Sequence, residues 1–226
     1  MSLPPSPVRL FVLIVLSILV GTLLLSLVQL GLISLIVEKL GLSPAQGVMF
    51  LVFSLIGSTL NLPVISIKAE HPEGGLKPDN VQEILGVPIP QFQGKTLIAV
   101  NVGGCLIPLV FSASLIYRFP LELSLLLLSV GLCSIICFLA SRPIPGIGIG
   151  MMPLVAPVTA AIIAITFGGE YAAPLAYITG TFGVIIGADL MHMRDISRLG
   201  APIASIGGAG TFDGIFLTGI VAVLLT

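Results

Sequence analysis

Gly187 to Gly214 reads GADLMHMRDISRLGAPIASIGGAGTFDG. It sets Asp189 and Asp213 just inside two long apolar segments. A carboxylate facing lipid is costly, so membrane carboxylates face a protein interior or a watery cavity and mark working sites. The stretch therefore points to a functional site, and to one inside a membrane protein.

Composition agrees. The 226 residues are 56% hydrophobic and only 8% charged, against about 25% charged in an ordinary soluble domain. Mean hydropathy is +1.19. A soluble fold of this length could not hide so much apolar surface. The 26 Gly and 17 Pro also suit membrane helices better than soluble ones. The net charge of −1 and the absence of a Lys/Arg-rich run exclude a nucleic-acid partner. Cys105, Cys133 and Cys137 all fall in apolar runs. They read as small buried thiols, because zinc sites want tight Cys/His groupings. No metal site and no cofactor is expected.

Seven apolar segments predict seven spans, near 10–37, 45–67, 95–117, 121–140, 147–167, 172–193 and 202–226. Each approaches the roughly 20 residues that a bilayer core requires. The expected fold is all-α, a polytopic transmembrane helix bundle with broken helices. It forms a single integral membrane domain over residues 1–226, with 68–94 as a cytoplasmic loop. Arg9 precedes an apolar run too long for a cleaved signal sequence, so that run reads as the first span.

Alternating the sides puts Arg9, Lys68, Lys77, Lys95, Arg142, Arg194 and Arg198 on the side of the N-terminus. Lys39 and Arg118 fall on the other. Seven basic residues against two place the N-terminus in the cytoplasm. Without the fifth span the split would be five against four, so the charge pattern favours seven.

Four polar residues inside the spans are the candidate site: Asn61, Asn101, Asp189 and Asp213. Counted as helix from the nearest cytoplasmic base, the first three lie about 8–10 Å deep. Asn61, Asn101 and Asp213 keep helix-breaking company, in GSTLNLP, NVGGCLIP and SIGGAGTFDG. Broken helices expose backbone groups that can hold an ion or a solute. The bland alternative for each Asn is an interhelical hydrogen bond. Gly183/Gly187 and Gly210/Gly214 have GxxxG spacing, which predicts close helix packing. His192 follows Asp189 by three residues and reads as an interfacial histidine. His71 lacks metal-motif spacing and reads as a surface residue.

Two carboxylates with no Lys or Arg in their own spans would share a proton if they met. That suits proton- or cation-coupled transport of a small solute or ion, with Asn61 and Asn101 holding the cargo. It also suits hydrolysis by an aspartate pair, with Asp189 and Asp213 catalytic and a membrane peptide as substrate. A third reading is a non-catalytic assembly partner. The expected partners are the lipid bilayer and a small solute, ion or membrane peptide. A chain of this length is short for a carrier unless it dimerises, so a homo-oligomer is among the expectations.

The motifs GSTLNLP, NVGGCLIP, RPIPGIGIGMMPLVAP, GTFGVIIGADL and SIGGAGTFDGIFLTGIVAVLL resemble a family of prokaryotic polytopic membrane proteins defined as domain of unknown function 1614. That resemblance implies fold and location rather than a reaction. More loosely, the aspartates are similar to those of intramembrane aspartyl proteases of the presenilin and prepilin-peptidase type. In that likeness Asp189 matches the first catalytic residue. Asp213 stands near the second, with Thr211 and Phe212 between it and the Gly208-Ala209-Gly210 run.

Overall fold

The computed structural model describes residues 22, 29–69, 94–144, 148–208 and 214–226. The chain is mostly helical. Each of the seven expected segments holds one helix: α1 (Gln29–Lys39), α2 (Pro44–Gly57), α3 (Ile107–Arg118), α4 (Leu123–Ala140), α5 (Val155–Phe167), α6 (Ala172–Val184) and α7 (Gly214–Leu225). Two π-helical turns, π1 (Val102–Leu106) and π2 (Ile185–Leu190), extend α3 and α6.

The all-α expectation needs correction. Asn61–Lys68 (β1), Lys95–Asn101 (β2) and Ile203–Ile206 (β5) form a sheet in the order β1-β2-β5. Arg142–Ile144 (β3) and Gly148–Gly150 (β4) pair as a small antiparallel ribbon. The reason lies in residue type. LPVISI, TLIAV and IASI are short and rich in β-branched residues, which fit a pleated surface better than a helix. Apolar periodicity alone cannot separate such runs from a helix end. Pro63 fits because β1 is an edge strand with a register shift between Pro63 and Ile65.

β1 and β2 pair antiparallel, from Asn61↔Asn101 to Lys68↔Lys95, while β2 and β5 pair parallel, from Leu97↔Ile203 to Val100↔Ile206. The chain leaves the hairpin at Lys68 and returns beside it at Lys95, where the Ala69 amide donates to the Gly94 carbonyl. The expected 68–94 loop thus closes on neighbouring strand ends. Its residues 70–93 lie outside the described region.

Seven full-length helical spans are not what the described residues form. α4 and the Gly169–Leu190 helix are long and apolar enough to cross a membrane, and α1 with α2 makes a third if that pair, bent by 108°, is one span. α5 and α7, at 13 and 12 residues, are each shorter than the roughly 30 Å hydrocarbon core. The bend between α1 and α2 occurs at Gly41, whose φ of +62° favours glycine. α2 then starts on a capping box, with Ser43 and Gln46 bonding each other's backbone amides and Pro44 in the first turn.

α6 is the hub, buried continuously from Pro174 to Thr181 and packed by α3, α4, α5 and α7. Its small residues set the distances. A methyl group at Gly183 would strike Cys133 Sγ, and one at Gly187 would strike the Ser134 carbonyl. The GxxxG pair is therefore packing between α6–π2 and α4, as its spacing predicts. At Gly214 a Cβ would meet none of the described residues within 4 Å, and Gly210 lies outside the described residues. Cys133 and Cys137 are fully buried on that α4 face, with Sγ atoms 4.0 Å apart and no disulfide.

Charge separates the two ends of the bundle. Arg118 donates to the Gly41 carbonyl and Lys39 to the Val223 carbonyl, so both lie where α7 ends. Lys68, Lys95, Arg142, Arg194 and Arg198 follow or precede elements that finish at the opposite, sheet-bearing end. Ile98, Ile196, Leu199 and Ala201 make a second, smaller core there.

Gly187→Val should separate π2 from α4, since the Cβ position lies 2.2 Å from a backbone oxygen that cannot swing away. Overpacking of this kind costs about 1–3 kcal/mol or more. A lowered thermal midpoint in detergent is expected. Gly131→Ala, with open space around it, should leave that midpoint unchanged or raised.

Candidate functional site

Three apolar segments break at one place. α2 ends at Gly57, where the Ser58 and Thr59 hydroxyls turn back to the Leu55 and Ile56 carbonyls. β2 gives way to π1 at Asn101. β5 stops before Gly207, whose φ is +79°.

Asn101 joins the three. Its Nδ2 donates to the Ser58 carbonyl at 2.7 Å and to Asn61 Oδ1 at 3.1 Å. Its Oδ1 accepts from the Gly104 amide at 2.7 Å. Asn61 Oδ1 also accepts from Ser205 Oγ at 2.6 Å. A helix leaves its last carbonyls and first amides without partners. Here one side chain, 1% exposed, satisfies a carbonyl at the end of α2 and an amide at the start of π1.

Glycines let the backbones close around it. A Cβ at Gly103 would lie 1.9 Å from the Ser54 carbonyl, and one at Gly208 would lie 2.7 Å from Asn101 Nδ2. Gly207 presses on Cys105 in the same way.

Asn61 and Asn101, expected to converge, are hydrogen-bonded. The three bonds of Asn101 use much of the hydrogen-bonding capacity of its amide. Asn61 is exposed, and its Nδ2 has no hydrogen-bond partner among the described residues. The helical depth estimate is also corrected. At about 3.3 Å per strand residue, Asn61 and Asn101 stand roughly 20 Å from Lys68 and Lys95 along the hairpin.

Asp189 lies on π2, half-buried, at the same end of the bundle. π2 packs on α4 and β4 rather than on β1. Asp213 lies outside the described residues, so the pairing of the two carboxylates is not part of the described geometry. His192 is buried within the protein. Its Nδ1 is 3.3 Å from the Gly187 carbonyl and its ring packs on Phe138 at 4.7 Å. His71 lies outside the described residues. Among the described residues no group of three His, Cys, Asp or Glu could hold a metal ion.

Sequence reasoning missed Ser205 and Thr96. Thr96, fully buried, donates to the Ala201 carbonyl at 2.7 Å and ties β2 to the approach of β5. A hydroxyl two residues before a Gly-Gly pair was the available signal for Ser205.

The chain belongs to the family described as "Protein of unknown function (DUF1614)", whose model matches residues 55–225. The match runs from the end of α2 to the end of α7 and includes every residue of this network. No curated protein and no solved structure matches the chain.

Asn101→Ala should strand the Ser58 carbonyl and the Gly104 amide, at about 1–3 kcal/mol per buried group. Asn61→Ala, at an exposed position, should cost less than half as much. Thermal unfolding of the two purified variants checks the ranking.

Proposed function

We propose that this member of the family is an integral protein of a prokaryotic inner membrane that moves a small solute or ion, coupled to protons or another cation. One observation carries the reading: three broken apolar segments meet on the Asn61–Asn101–Ser205 network, at the bundle end that also bears Asp189. Transporters build solute sites from such discontinuous segments, where backbone groups and a few polar side chains replace water. In this reading Asn61 and Asp189 meet the cargo, Asn101 holds the junction, and Asp213 is the second carboxylate.

The membrane assignment rests on the apolar outer surface. Leu123, Leu127 and Leu139 on α4 are all more than 60% exposed, and exposed apolar surface of this kind suits lipid rather than water. All seven apolar segments take part in crossing. A sheet with open edges cannot face hydrocarbon, because its free amides and carbonyls would go unbonded. The sheet therefore lies at the aqueous face, and the five described basic residues of that end make it the cytoplasmic one.

Sidedness is tested with single cysteines in a cysteine-free background. Lys95→Cys should react with a membrane-impermeant maleimide only in inside-out vesicles, and Arg118→Cys only in right-side-out ones. The reverse pattern would invert the topology. Function is tested in proteoliposomes under an imposed pH gradient, with a panel of labelled amino acids, carboxylates and monovalent cations. Asp189→Asn should reduce uptake at least tenfold while leaving yield and insertion unchanged. Cleavage of a membrane peptide without uptake would replace transport by the diaspartyl peptidase. Neither activity would leave the assembly partner.

A further inference from the structure

Six buried hydroxyls among the described residues have no hydrogen-bond partner: Ser54, Ser112, Ser129, Tyr177, Thr179 and Thr181. Each such group has lost its bonds to water without gaining one from the protein. A Ser or Thr in a helix escapes that loss by bonding the carbonyl four residues back. Ser134, Ser141 and Thr166 do so, at 2.6–2.7 Å. The five orphaned Ser and Thr residues forgo the same bond. Tyr177 cannot make it and is fully buried.

Three of the orphans, Tyr177, Thr179 and Thr181, stand on α6 itself. Tyr177 and Thr181 lie one turn apart on a single face, both against Gly219 of α7. The Tyr177 ring meets Phe50 of α2 and Phe111 of α3. Ser54 is one turn beyond Phe50, toward the sheet end, as Thr181 is one turn beyond Tyr177. On the other face of α6, Gly183 packs on Cys133 and Gly187 on Cys137. The same register, one turn earlier, sets Thr179 opposite Ser129.

We propose that these hydroxyls hold internal water and, with it, form a proton path along α6 toward π2 and Asp189. Buried polar groups without protein partners are the usual places of structural water, which bridges two to four of them. The chemistry selects protons over a larger guest. A hydroxyl both donates and accepts, so it can take a proton on its lone pair as it releases its own and keep no net charge. None of the six is a carboxylate that could balance a buried metal ion. Tyr177 to Asp189 is twelve residues, or about 18 Å of helix, so the path spans much of the bundle. This inference rests on the proton-coupled reading of the site for its purpose, but not for its hydration.

Two measurements test it on the full-length protein. Hydroxyl-radical footprinting should oxidise Tyr177, although it is buried, because bound water supplies the radical. Tyr117, 93% exposed, serves as the reference. An unlabelled Tyr177 at doses that label Tyr117 overturns the internal water. Proton flux is then read in pyranine-loaded proteoliposomes under a potassium–valinomycin potential. The isosteric double variant Tyr177→Phe/Thr181→Val should lose at least tenfold of the protein-dependent flux, with a thermal midpoint equal or higher. Unchanged flux, or no protein-dependent flux in the parent, overturns the path. A labelled Tyr177 and a sensitive flux, with Asp189→Asn fully active in solute uptake, would remove the transport reading and leave the path standing.

Discussion

Backbone polar groups tolerate no vacancy where water is scarce, and Asn101 is where this chain meets that constraint. A helix that ends near lipid leaves carbonyls and amides to be satisfied by something else. At this junction α2 stops, π1 starts, and two strands arrive. The Asn101 amide bonds the Ser58 carbonyl and the Gly104 amide, and Asn61 joins through the same group. Ser205 then secures the third segment through Asn61. The glycines at 57, 103, 207 and 208 follow from this, because backbones can approach so closely only where no Cβ intervenes.

That constraint explains what was and was not legible in the sequence. The seven apolar segments were, and each contains a helix. The sorting of bases was also legible: Lys39 and Arg118 occupy one end, away from the five described bases of the other. The GxxxG reading of Gly183 and Gly187 corresponds to real contact with α4. The sheet was not legible. Runs of four to six residues adjoining a helix-length apolar run carry no period that separates strand from helix. Only the β-branched content of LPVISI and TLIAV, and Pro63 within it, pointed the other way.

The site was half legible. Helix-breaking company around Asn61 and Asn101 marked them, and they meet. Their division of labour could not be read, since it depends on which amide atoms the backbone consumes. Asn101 is used up internally, whereas Asn61 is exposed and its Nδ2 has no hydrogen-bond partner among the described residues. The orphaned hydroxyls of α6 were invisible for a related reason. YITGTFG reads as an ordinary small-residue helix until the same residue types nearby are seen bonding their own backbone.

All of this depends on β2 and β5 lying side by side, although a hundred residues of chain separate them. Disulfide cross-linking in a cysteine-free background reads that arrangement directly. Leu97→Cys with Ile203→Cys, partners in the parallel register, should cross-link rapidly in the membrane under mild oxidation. Val100→Cys with Ile203→Cys, three residues out of register, should not. Equal rates for the two pairs, or no bond in either, would contradict the junction on which this account is built.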